Sequence, residues 1–133
     1  MTVRQEKIAM ELQELVNLKA AMRRPKVICL CGSTRFHKTF EQVNLQETLA
    51  GNIVLSIGAN AKDEDLQISE EMKLRLDVLH LYKIDICDEV LVINRGGYIG
   101  ESTRREIEYA HLIGKPVHYL LSLSIAKSIT KES

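Results

Sequence analysis

The sequence carries no net charge, with 18 Lys and Arg set against 18 Asp and Glu. A nucleic-acid groove or an anionic membrane is therefore not expected as the main partner, although a local basic cluster can still hold one phosphate. It also lacks the cysteines for a disulfide framework: its 3 thiols cannot all pair, and a reducing cytoplasm is the expected setting. No stretch reaches the roughly 18 consecutive apolar residues that span a bilayer. The N-terminus lacks the apolar block of a signal peptide. Cys29 and Cys31 alternate along an apolar run and share a face. With no CxxC spacing and no histidine nearby in sequence, packing is a simpler role for them than a metal pair. No metal and no cofactor is expected.

What is present is ordinary for one folded domain: 133 residues, 45% apolar and 27% charged, enough for a single sizeable core. Residues 1–24 read as an N-terminal amphipathic helix, with Ile8, Leu12, Leu15 and Leu18 at helical spacing and a stop at Arg24-Pro25. Its role is either to cover one face of a sheet or to form a dimer. Residues 25–121 form the main domain, and residues 122–133 a tail that either makes a short helix or frays.

Within the main domain the pattern alternates. Lys26 to Leu30 (KVICL), Asn52 to Ile57 (NIVLSI), Val90 to Ile93 and Val117 to Leu120 read as four strands. Between them, Phe36 to Leu49 reads as a helix with Phe40, Val43, Leu45 and Leu49 inward, ended by Ala50-Gly51-Asn52. Ser69 to Cys87 reads as a long helix capped by Ser69 and apolar nearly all round, so that sheet, neighbouring helices or a second subunit should wrap it. On it Asp77, His80 and Ile84 share one face. The polar stretch from Gly58 to Asp65 reads as a loop over the site. Strands alternating with helices over short connections predict an α/β, flavodoxin-like or Rossmann-like three-layer sandwich. Its parallel sheet should have the order 2-1-3-4, with helices on both faces. In such a sheet ligands collect over the carboxyl ends of strands one and three, which brings two distant loops together.

The first loop is Gly32-Ser33-Thr34-Arg35. Its glycine lets backbone amides turn toward a ligand, its serine supplies a hydroxyl, and its arginine offers a planar fork for phosphate oxygens; a plain turn with a solvated arginine is the competing role. The second loop carries Gly96, Gly97 and Gly100, which allow positive φ and close approach. Ser102 and Thr103 follow, able to cap the next helix and to face an anion. Glu106 lies one turn past Ser102, on the same helix edge, where a carboxylate can attack or steady an oxocarbenium-like carbon. Its competing role is to complement the helix dipole. Glu101, Glu108, Arg104 and Arg105 read as surface charges.

These residues resemble the nucleoside 2-deoxyribosyltransferase superfamily, which includes small deoxynucleoside monophosphate N-glycosidases. The resemblance spans residues 26–120. It rests on Cys31-Gly32-Ser33-Thr34-Arg35, which fits a C-G-S-x-R loop, and on Gly100-Glu101-Ser102 through Glu106-Ile107-Glu108-Tyr109-Ala110, followed by Gly114-Lys115-Pro116-Val117. Glu106 to Ala110 fits the family's E-x-G-x-A pattern, except that Glu108 replaces its glycine. The resemblance implies an oligomer, expected to be a homodimer, and cleavage or transfer at the N-glycosidic bond of a nucleoside or nucleoside 5′-monophosphate. It implies Glu106 as nucleophile. Ser33 and Arg35 would hold the phosphate, helped by Gly32, Gly97, Gly100 and Ser102. The family's second carboxylate has no clean match: counting back from Asp88 at the family's spacing reaches His80, with Asp77 a turn earlier. Asp77 and His80 are accordingly the candidates for orienting the sugar or protonating the leaving base. The partner expected is a small nucleotide or nucleoside, not a nucleic acid and not a membrane. Two alternatives stand beside this reading. Gly96-Gly97-Tyr98 with Gly100 and Glu106 also looks like the P-G-G-x-G-T-x-x-E loop of cytokinin-activating phosphoribohydrolases, without its proline. A nucleotide-sensing module that has kept the pocket and lost turnover is the other.

Overall fold

The computed structural model describes residues 1–58 and 67–121. The apolar, β-branched run after Pro25 becomes β1 (Val27–Gly32), and the later runs become β2 (Ile53–Leu55), β3 (Glu89–Ile93) and β4 (Val117–Tyr119). All pair in parallel in the order β2-β1-β3-β4, as the alternation predicts. Four helices accompany them: α1 (Val3–Ala21), α2 (His37–Leu49), α3 (Glu70–Ile86) and α4 (Glu101–Leu112).

Successive strand residues point to opposite faces, so the sheet has two cores. Val27, Cys29 and Cys31 of β1, with Val90 and Val92 of β3, pack against Ile84 of α3 and Ala110 of α4. Ile28, Leu30 and Ile93 pack on the other side against Phe40 and Val43 of α2. Local signals set the helix ends. Ser69 Oγ accepts from Met72 N at 3.1 Å to start α3, and Gly51, at φ 92°, turns the chain out of α2. Asp88, just ahead of β3, accepts from Val27 N at 2.8 Å and from Arg24 Nη2 at 2.7 Å. The Val27 N–H, with Arg24, holds its carboxyl below the usual range against a small cost of burial.

Several expectations are corrected. β1 runs two residues past Leu30, so Gly32 lies within the strand and not in the loop. Leu45 and Leu49 of α2 face outward, because α2 meets the sheet along a narrow stripe. Only His80 and Ile84 of α3 are buried, while Leu74, Leu76, Val78 and Leu79 stand exposed. Within one chain α3 is therefore not wrapped. Every residue of α1 is exposed, so it does not cover the sheet. The loop expected from Gly58 to Asp65, Gly58 apart, and the tail over 122–133 lie outside the described residues. No helix among the described residues is long and apolar enough to cross a membrane.

Gly32 has a packing reason to be glycine. A Cβ there would lie 2.8 Å from the Ile93 carbonyl oxygen and 3.0 Å from Ile93 Cβ, both fixed in the neighbouring strand. Gly32→Ala must force β1 and β3 apart and is expected to cost about 1–3 kcal/mol, read as a lower urea midpoint. An unchanged midpoint would show that the strands can part without cost.

Candidate active site

Polar residues of α3 and α4 meet over the core that these helices share with the sheet. A groove of about 570 Å³ opens there, with Asp77, Ser102, Arg105 and Glu106 among its lining residues. Sequence spacing explains the grouping, since Ser102, Arg105 and Glu106 recur on one edge of α4. Arg105 Nη2 lies 3.8 Å from Asp77 Oδ2 across the groove and 3.4 Å from Ser102 Oγ on its own helix.

Glu106 is the most enclosed acid of the group, its side chain 15% exposed. Its Oε2 is buried without a hydrogen-bond partner, 3.6 Å from His80 Nε2. Burial lifts the carboxyl above the usual carboxylate range, although the charge of His80 and the nearby Cys31 thiol pull it back. His80 is buried on α3 directly behind it, Nε2 standing 3.3 Å from Cys31 Sγ and 3.7 Å from Cys29 Sγ. Burial works against a charged imidazole, but Cys29 and the Glu106 carboxylate outweigh it and hold His80 above its ordinary value. Both thiols are fully buried. The contact with Cys31 favours a Cys29 thiolate and, with help from His80, overcomes burial to lower it to about 5. The same contact and burial push Cys31 up.

The two loops also meet, as the sheet order requires. Arg35 lies over the Tyr98 ring, 4.1 Å from its centre, and its Nη2 donates to Tyr98 Oη at 3.3 Å. Phe36 meets the same ring edge-on at 6.0 Å. Gly96 and Gly97, at φ 64° and 81°, make the turn that presents Tyr98. Ser33 Oγ accepts from Arg35 N at 3.3 Å and starts the short turn Thr34–Phe36. The expected cap at Ser102 or Thr103 is corrected: α4 starts at Glu101 with Gly100 at its N-cap and no side-chain cap, Ser102 faces Arg105, and Thr103 is buried. Ser102 lines the groove that holds Glu106, whereas Ser33, Arg35, Gly97 and Gly100 do not.

Sequence reasoning missed four residues here. In sequence Tyr98 figures only as part of its glycine run, and Arg105 reads as a surface charge although its spacing from Ser102 and Glu106 puts it on their edge. Cys29 and Cys31 were set aside for want of a histidine. His80 is that histidine, delivered by α3 from some fifty positions away.

No family model matches the chain, and no curated protein matches it in sequence. Among solved structures it is similar to a 2-deoxyribosyltransferase from the psychrotolerant bacterium Bacillus psychrosaccharolyticus. The two align with a TM-score of 0.55 and 22% identity over 77% of this chain and 81% of that one. The chain has the fold of a 2-deoxyribosyltransferase. The likeness first read from two loops thus extends to the architecture that carries them. In this fold Glu106 stands in the second turn of α4, the helix after β3, facing the core beside Cys31 of β1.

Proposed function

We propose that the protein cleaves or transfers at the N-glycosidic bond of a nucleoside or nucleoside 5′-monophosphate, with Glu106 as nucleophile. One observation carries this reading. A buried carboxylate with an unpartnered oxygen lines an open groove in a chain with the fold of a 2-deoxyribosyltransferase. A Glu106 oxygen attacks C1′, the C1′–N bond breaks, and its electron pair leaves with the base. The resulting glycosyl ester is then resolved by water or by an acceptor base. Asp77 lies on the groove and takes the second role, orienting the sugar or giving a proton to the departing base. His80 stands behind Glu106, does not line the groove, and acts as a positioning residue for its carboxylate.

Arg35, exposed beside Tyr98 and outside the groove that Glu106 lines, takes the phosphate on this reading, so the nucleotide must reach from the second loop into the groove for binding energy at that remote group to place C1′. Arg35→Ala is expected to raise KM for nucleoside monophosphates by roughly tenfold to a hundredfold, the worth of a charge-assisted contact, with kcat little changed. An equal effect on nucleosides without phosphate would remove that role. The deciding experiment incubates the protein with a panel of nucleosides and their monophosphates, with and without an acceptor base, and measures free and exchanged base by chromatography. Saturable binding with no base released would make the protein a sensor instead.

The protein works as a homodimer. The exposed apolar side chains of α1, among them Ile8, Leu12 and Leu15, and those of α3 support this, since single chains seldom leave so much apolar surface in water. Light scattering at micromolar concentration is expected to give twice the chain mass of 15.1 kDa, and a monomer mass would refute it.

A further inference from the structure

The Cys29–Cys31–His80 cluster is left unused by the glycosyl-transfer chemistry. The alternation of β1 puts both thiols on one face of the strand, and α3 lowers an imidazole onto them. The donor atoms of all three lie within 4.8 Å of one another. In tetrahedral zinc sites the metal stands about 2.3 Å from sulfur and about 2.0–2.1 Å from nitrogen or oxygen, which sets neighbouring donors roughly 3.4–3.8 Å apart. Here His80 Nε2 is 3.3 Å from Cys31 Sγ, 3.7 Å from Cys29 Sγ and 3.6 Å from Glu106 Oε2. The lengths from His80 are close to edges of such a tetrahedron, while Glu106 lies outside the 4.8 Å cluster of the other three donors and completes the set only by a turn of its side chain.

A second observation points to a ligand independently. Glu106 Oε2 is buried beyond hydrogen-bond distance of any donor, with only His80 facing it at 3.6 Å, and a buried carboxylate oxygen so placed has room for a cation between itself and the imidazole. Two thiols, an imidazole and a carboxylate form a borderline-soft donor set that suits zinc and not magnesium or calcium. The groove between α3 and α4 reaches Glu106 from solvent and supplies a way in.

We propose that Cys29, Cys31 and His80 bind a thiophilic divalent cation, Zn²⁺, with Glu106 as fourth donor, and that the bound ion switches the site off. Binding sends the thiol protons to solvent and leaves the Glu106 oxygen on the metal, where it cannot attack C1′. The metal site stands on its own residues; its regulatory meaning rests on the proposed role of Glu106. Cys87 takes no part, since its thiol donates to the Ile84 carbonyl at 3.1 Å.

The test titrates the reduced, metal-free full chain with Co²⁺ as a spectroscopic stand-in for Zn²⁺. Thiolate-to-cobalt charge-transfer bands and intense tetrahedral d–d bands are expected, saturating at one ion per chain and bleached by Zn²⁺. The bands should vanish in Cys31→Ser and persist in Cys87→Ser. Glu106→Gln should keep the charge-transfer bands but weaken Co²⁺ binding by tenfold or more, since even outer-shell partners of metal ligands are worth about 10–100-fold. Wild-type protein without these bands overturns the site, whatever the variants do. Binding undiminished in Glu106→Gln overturns the fourth donor. On the activity side, Zn²⁺ should suppress base release and a chelator restore it, and full activity at zinc saturation overturns the switch. Cobalt bands without base release under any condition would keep the metal site and refute the glycosidic reading, so the two fail separately.

Discussion

Replacing Glu106 by alanine is expected to lower base release at least about a thousandfold, a loss of roughly 4 kcal/mol of transition-state stabilisation. Phosphate-bearing ligands should still bind, because Arg35 and its loop are untouched. The size of the effect separates two roles for this carboxylate. A glutamate that merely complements the dipole of α4 is worth about 0.3–1 kcal/mol of stability and nothing in rate. Glu106 is also more enclosed than a surface charge of that kind, with its Oε2 buried and burial lifting its carboxyl. Removing it relieves a desolvation cost, so thermal stability should hold or rise while turnover collapses. Comparing single-turnover rates with thermal midpoints checks both halves. A variant as active as the wild type would end the proposed mechanism.

Ile84→Ala is expected to show the opposite pattern, a loss of about 2–5 kcal/mol of stability through the cavity it leaves. Ile84 is fully buried, one turn past His80, and packs α3 onto Cys29, Val90 and Val92. Domains are stable by only about 5–15 kcal/mol, so this single truncation would remove a large share. The same side chain fixes the height of α3 over the sheet and with it the reach of His80 to Glu106. Urea unfolding should therefore show a lower midpoint, and activity below the transition should also fall. A loss under about 1 kcal/mol would mean that α3 is held mainly by contacts along its exposed face, as a partner chain would provide.

Much of the architecture was legible because parallel strands buried on both faces read as apolar runs, and helices between them announce themselves by caps such as Ser69 and Gly51. The alternation gives a parallel sheet, and the flavodoxin-like pattern of winding gives its order. What could not be read was how much of each helix finds a partner. Leu45 and Leu49 fit a helical stripe as well as Phe40 and Val43 do, and only the narrow contact of α2 with the sheet tells them apart. Likewise the apolar girth of α3 is plain in sequence, yet the sheet uses only His80 and Ile84.

For the candidate site, the approach of the two loops was foreseeable from topology, and Arg35 on Tyr98 realises it. Gly32 was read as a glycine for a ligand, whereas the neighbouring strand already requires it. The placement of His80 was out of reach because no local pattern says which side of α3 meets β1. A histidine between two apolar turns looks the same whether it faces a methyl group, a thiol or a carboxylate.

The brevity of β2 and β4, three residues each, has a consequence for how copies of this chain can associate. Both flanks of the sheet end in strands too short to template another molecule's backbone, which blunts the usual route to ribbon-like aggregation. Asn94, buried at the end of the central strand β3, ties down the chain that follows β4 by exchanging hydrogen bonds with the Leu121 backbone at 2.8 and 2.9 Å. Self-association is thereby steered away from the sheet and onto greasy helical surfaces, where it can stop at a closed pair instead of growing without end.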